Sequence, residues 1–158
     1  MIRTSCECDK CKSYCTFAPG MLTPTDLIRL FGEFPYDTLM AFAMDNLLAS
    51  PGALVGHMDG RIVRIPTLVP GTDKDGSCQW FTQEGKCLVH HVKPSGCAYF
   101  DHSQSPQEQQ AISAILHDKI MGEWMNQPTS YTTVWFALFD AGRIAPPIEL
   151  LATLERLR

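Results

Sequence analysis

The chain has 158 residues, enough for one domain with a sizeable core. Apolar residues make up 45% and charged residues 19%, the balance of a folded globular protein. Its 13 basic residues are outnumbered by 17 acidic ones, which argues against a general nucleic-acid binder, and no apolar run is long enough to cross a bilayer.

In chain order, the start MIRTSCECDK is polar and lacks an apolar secretory stretch, so the expected compartment is the cytoplasm, where thiols stay reduced. Four of the seven cysteines fall in CECDKCKSYC, residues 6–15. Next, LTPTDLIRLFGEF predicts a helix capped by Thr23, with Pro24 in its first turn and Leu27, Leu30, Phe31 and Phe34 on one face. A second helix is expected over residues 37–49, with Met40, Ala43, Met44 and Leu47 inward, ended by Ser50-Pro51-Gly52. GRIVRIPTLVPGTDKDG reads as an extended segment that Pro66 confines to a sheet edge or a bend. Residues 76–100 are rich in Gly, Cys and aromatics without clean periodicity, which suits loops and short strands around a site. Ser105 and Glu108 spell a capping box with Pro106 in the first turn, and Ile112, Ile115, Leu116 and Ile120 form the buried stripe behind it. Tyr131, Val134, Trp135, Leu138 and Phe139 mark another helix ending near Gly142. Pro146-Pro147 opens a last one, with Leu150, Leu151, Leu154 and Leu157 apolar. No internal repeat stands out.

The cysteines carry the chemical signal. Cys8-x2-Cys11-x3-Cys15 lets neighbouring sulfurs turn toward one point while backbone amides hydrogen-bond to them, an arrangement used for zinc and for iron–sulfur clusters alike. Three thiolates rarely close a site, so a further ligand is expected from Cys6 or from Cys78, Cys87 and Cys97. Each downstream cysteine lies near a glycine, Gly76, Gly85 or Gly96, which allows a tight turn and close approach to an ion or cluster. A disulfide scaffold fits poorly with an odd cysteine count and a reducing compartment. The expected architecture is a mostly α chain with irregular loops and short strands (α+β): a single domain, 1–158, with a helical body around a cysteine-ligated metal centre. Residues 6–100 would form the metal-binding region and 104–158 the C-terminal helices.

These motifs resemble the YkgJ-like cysteine-cluster family, small bacterial zinc- or iron-chelating domains named for a CxxCxxxCC motif. The resemblance rests on Cys8, Cys11 and Cys15, on Leu22-Thr23, on Gly76-Ser77-Cys78-Gln79-Trp80-Phe81, on Cys87-Leu88-Val89-His90, and on Lys93-Pro94-Ser95-Gly96-Cys97. It spans roughly residues 6–100 and departs at Thr16, where the family has a second adjacent cysteine that Cys6 would replace. Lys93 stands for the family's arginine, and Ala98 for another basic residue. What the resemblance implies is metal chelation.

Residue type alone does not choose the metal. A zinc ribbon would want a second CxxC, whereas Cys78, Cys87 and Cys97 are widely spaced, so the balance leans to an iron–sulfur cluster with zinc close behind. One centre or two would both fit. His90 and His91 follow Cys87 but are expected to face the core and solvent rather than metal. His57 suits a turn, His102 is expected to donate from behind Cys97, and His117 reads as a surface or boundary residue of its helix. Trp80, Phe81, Tyr99 and Phe100 flank cysteines as shields against water. Asp101-His102 lacks the partnered nucleophile that catalysis would need. The rival readings are a metalloenzyme, an oxidoreductase or transferase with an open coordination position, and a partner-binding module with structural zinc whose face would include Trp124, Trp135 and Leu150.

Overall fold

The computed structural model describes residues 8–52, 54–56 and 62–147. Within them six α-helices and two small antiparallel sheets give an α+β fold. Cys6, His57 and the apolar positions expected for the last helix (Leu150, Leu151, Leu154, Leu157) lie outside the described residues.

The helix starts follow local chemistry. α2 (Pro24–Phe31) opens on a reciprocal box in which the Thr23 hydroxyl accepts from the Asp26 amide and Asp26 accepts from the Thr23 amide. α5 (Pro106–Met125) repeats the device with Ser105 and Glu108, and α6 (Ser130–Asp140) with Thr129 and Thr132. α6 stops at Gly142, whose φ of +72° suits glycine. There the Gly142 amide donates to Phe139 and the Arg143 amide to Leu138.

The second helix ends earlier than its apolar spacing predicts. α3 covers Leu39–Asn46, and the chain then enters strand β1 (Leu47–Ser50). Leu47 and Ala49, expected on a helix, become alternate inward residues of β1, both fully buried. What overrides the helical pattern is pairing: β1 runs antiparallel to β4 (Thr67–Pro70), Leu47 opposite Pro70 and Ser50 opposite Thr67. The predicted extended segment divides at Pro66 into β3 (Ile62–Arg64), which pairs with β2 (Leu54–Gly56), and β4. Single bridges widen the β1–β4 pair, Leu22 beside Leu68 on one side and Ile144 beside Ala49 on the other.

Around this sheet lies the core, with Leu22, Leu27, Leu30, Phe42, Leu68, Leu116, Ile120 and Leu138 at or near zero exposure. Phe34 lies past the end of α2 but still packs, its ring 5.4 Å from Phe42 and 6.0 Å from Trp80. Ile115 is exposed, so the buried stripe of α5 is narrower than predicted, and Phe139 is half-exposed over Trp135. His117 is the reverse case: expected near the surface, it is buried, its Nδ1 2.7 Å from the Ser113 carbonyl. Trp124 and Trp135 are tied inward, their indole N–H groups donating to Pro66 and Ser50 carbonyls.

Two polar hubs join the body to the loops. Tyr131 is buried between strands, donating to the Leu22 carbonyl and accepting from the Leu68 amide, both at 2.8 Å. Asp26 is buried too, pairs with Arg29, and accepts from the Ser95 amide at 2.8 Å. Arg29 in turn donates to the carbonyls of Val92 and Lys93, so α2 grips the segment that leads to Cys97.

Candidate metal centre

Three stretches bring the cysteines together. The first is the N-terminal turn, α1 (Asp9–Ser13) followed by a 3-10 turn over Tyr14–Thr16, carrying Cys8, Cys11 and Cys15. The second is a pair of tight turns carrying Cys78 and Cys87, and the third is α4 (Ser95–Ala98), carrying Cys97.

The two turns are copies of one design, nine residues apart (76 to 85, 78 to 87). In the first, the Asp73 amide donates to Ser77 and the Gly76 amide to Asp73; in the second, Thr82 donates to Lys86 and Gly85 to Thr82. Gly76 and Gly85 have φ of +89° and +73°, which makes both turns possible. After each cysteine the bonds match again: Gln79 to Gly71 and Phe81 to Cys78, then Leu88 to Trp80 and His90 to Cys87. The chain thus presents two sulfurs by one repeated backbone device. Its sequence trace is only Gly-x-Cys twice, too short to stand out as a repeat.

Cys15, Cys78, Cys87 and Cys97 line one cavity of about 460 Å³, with Cys11 at its wall. Residues from both halves of the chain close it: the Cys78 amide donates to the Cys15 carbonyl at 2.7 Å. The Cys97 Sγ accepts from the Gly20 amide at 3.3 Å, and the Cys78 Sγ from the Trp80 amide. Gly20 and Gly96 pass so closely that a β-carbon on Gly20 would lie 2.2 Å from the Gly96 carbonyl carbon, so this crossing needs glycine. Trp80, Phe81 and Phe100 wall the cavity, whereas Tyr99, expected beside them, is not among its lining; His90, expected away from the metal, and the buried Lys93 do line it.

Burial sets the electrostatics. Desolvation pushes the Cys78 thiol from 9.0 up to about 12, with the neighbouring Cys15 and Cys87 adding to it. Cys97 and Cys15 are raised for the same first reason, and the Lys93 charge works the other way on Cys15. Without a cation the thiols of Cys15, Cys78 and Cys97 are therefore held protonated, and a bound metal would have to displace those protons.

A second group sits beside the first. Cys8, Cys11 and His102 have ligand atoms all within 4.8 Å of one another, close enough to hold a metal ion. The His102 Nδ1 is 3.2 Å from the Cys8 Sγ and 3.5 Å from the Cys11 Sγ. Among the described residues this is the one trio of His, Cys, Asp or Glu donors drawn so tightly. His102 was expected behind Cys97 and instead meets the N-terminal thiols. Its one sequence trace is the short Cys97-x4-His102 spacing, which gives no hint of its partners. Asp101 accepts from the Ser103 amide at 2.9 Å. His91 is exposed against Glu33, 3.0 Å away. No described helix is long and apolar enough to cross a membrane.

No protein-family profile, curated protein or solved structure matches this chain.

Proposed function

We propose that the protein is a metal-binding cysteine-cluster protein in which the thiols hold an iron–sulfur cluster or zinc in a structural or redox role. The observation that carries this is the meeting of five cysteines, from segments as distant as Cys11 and Cys97, at one cavity. Thiols gathered at one cavity, most of them only partly buried, offer no packing advantage over small apolar residues and would stand close to one another without a metal to hold. Amide donors to the sulfurs of Cys78 and Cys97 suit thiolates better than thiols. The sequence motifs support the same assignment, a relative of the YkgJ-like chelating domains.

Between the two cofactors the spread of the sulfurs favours a cluster. Four thiolates on one zinc ion stand about 3.8 Å apart, given a zinc–sulfur bond of about 2.3 Å. No three of the inner sulfurs are grouped within 4.8 Å, as those of a cluster with outward iron corners need not be. The inner cysteines would anchor the cluster, and the cluster would supply single-electron capacity or a covalent tie between loops. Trp80, Phe81 and Phe100 then keep water from it.

Anaerobic purification followed by metal and acid-labile sulfide analysis, with an absorption spectrum, decides the matter. Iron with sulfide and a brown chromophore is the expected result, and colourless protein loaded with zinc would leave the site but change its cofactor. Protein that stays metal-free after anaerobic loading with either would refute the reading.

A further inference from the structure

We infer that the seven candidate donors do not serve one centre, and that Cys8, Cys11 and His102 form a second, separate site for a zinc-class divalent ion at the surface. This rests on the metal-binding reading and goes beyond it by fixing the number of centres and the chemistry of the outer one.

α1 sets the first two donors. Cys8 caps the helix and Cys11 lies three residues on, so one turn places both sulfurs on the same side. The Lys12 amide donates to the Cys8 carbonyl at 3.0 Å, holding that turn closed. His102 arrives from 94 residues beyond Cys8, in the loop between α4 and α5. Its Nδ1 falls 3.2 and 3.5 Å from the two sulfurs. A tetrahedral ion with bonds of about 2.3 Å to sulfur and about 2.0 Å to nitrogen sets such donors about 3.5 Å apart. Both nitrogen–sulfur distances thus already fit one ion, and the two sulfurs lie within 4.8 Å of each other.

Donor type then separates the two groups. Two thiolates and an imidazole are a borderline set that suits zinc, whereas the inner four donors are all sulfur. Surroundings separate them again. His102 is exposed, and neither it nor Cys8 lines the inner cavity, which Cys11 reaches from the side and in which Cys78 is buried. An ion on the outer trio should exchange with solvent chelators, and one behind Trp80 and Phe81 should resist them.

The test loads the full chain anaerobically with zinc, removes the excess, and follows release to a chromogenic chelator. Release should be biphasic, with about one equivalent leaving early and the rest late. H102A should lose the early equivalent and keep the late one, and H102C should restore it. C78S should do the opposite, losing late metal while the early equivalent remains. Because His102 is exposed, H102A should keep the far-ultraviolet spectrum of the parent. Loss of both phases together in H102A would mean one shared centre, and an intact early phase would mean that the trio is only hydrogen-bonded; either overturns this inference and leaves the metal-binding reading standing. A parent chain that takes up no zinc and no iron would end both.

Discussion

The helical body and the cysteine-bearing loops are held by different physics. Around Phe42, Leu68 and Leu138 the chain buries large side chains to near-zero exposure and pairs its backbone in helices and a sheet. Between Thr72 and Cys97 it relies on short turns, single bridges and a handful of side-chain clamps. A body of the first kind stands on its own core. Loops of the second kind reach the core through Trp80, Val89 and Val92 but have little regular backbone pairing, and a shared inorganic centre would supply a further constraint. A metal should therefore matter much for the loops and little for the body.

The largest effect should come from the body. Phe42→Ala removes a fully buried ring that packs on Phe31, Phe34 and Tyr36, and should cost about 3–5 kcal/mol. Urea melts should show the same loss with and without metal. A loss confined to the metal-loaded form would dissolve the contrast between the two regions.

Gly20→Ala should come next, at about 1–3 kcal/mol of overpacking. The added carbon would strike the Gly96 backbone, 2.5 Å from the Cys97 amide nitrogen, and push α4 away from the cavity. Elemental analysis should find the inner metal reduced, an effect that Phe42→Ala should not share among molecules that remain folded.

Raised thiols give the comparison a pH signature. The thiol of Cys78 sits near 12 when folded and near 9.0 when not, so the neutral form stabilises the metal-free fold. That contribution is full below about pH 9 and is lost as pH climbs through 9 toward 12, because the unfolded chain ionises first. Metal-free protein should therefore melt progressively lower across that window, while metal-loaded protein, its thiolates already formed, should change less. Uptake of metal at neutral pH should release protons, measurable in weakly buffered solution; silence there would contradict thiolate ligation at these positions.

The smallest effect should be at the repeated turns. Gly85→Ala meets no atom within 4 Å but forces a side chain onto φ of +73°, costing about 1 kcal/mol. Hydrogen exchange should quicken at the neighbouring turn amides and leave those of α6 unchanged.

Much of the body was legible in the sequence because its signals are local. Thr23 with Pro24, Ser105 with Glu108, and Gly142 act within one helical turn, and the structure uses each of them. Where α3 ends was not legible, because Leu47 and Ala49 suit a helix and are turned to strand by a partner some twenty residues away. The candidate site divided in the same manner. Cysteine spacing marked which residues belong to it, but not how they sort into groups. His102 escaped for a physical reason: its contact with Cys8 spans 94 residues and depends on where α4 and α5 leave the loop. The buried Lys93 was visible only as a departure from a motif, since burial is decided by the whole fold.

X-ray absorption at the metal edge of anaerobically isolated H102A protein asks most directly whether distant thiols share one centre. With the outer site removed, the account predicts a shell of sulfur alone, at about 2.3 Å from the metal. A shell dominated by nitrogen or oxygen would place the metal elsewhere and leave the meeting of Cys15, Cys78, Cys87 and Cys97 without the role assigned to it.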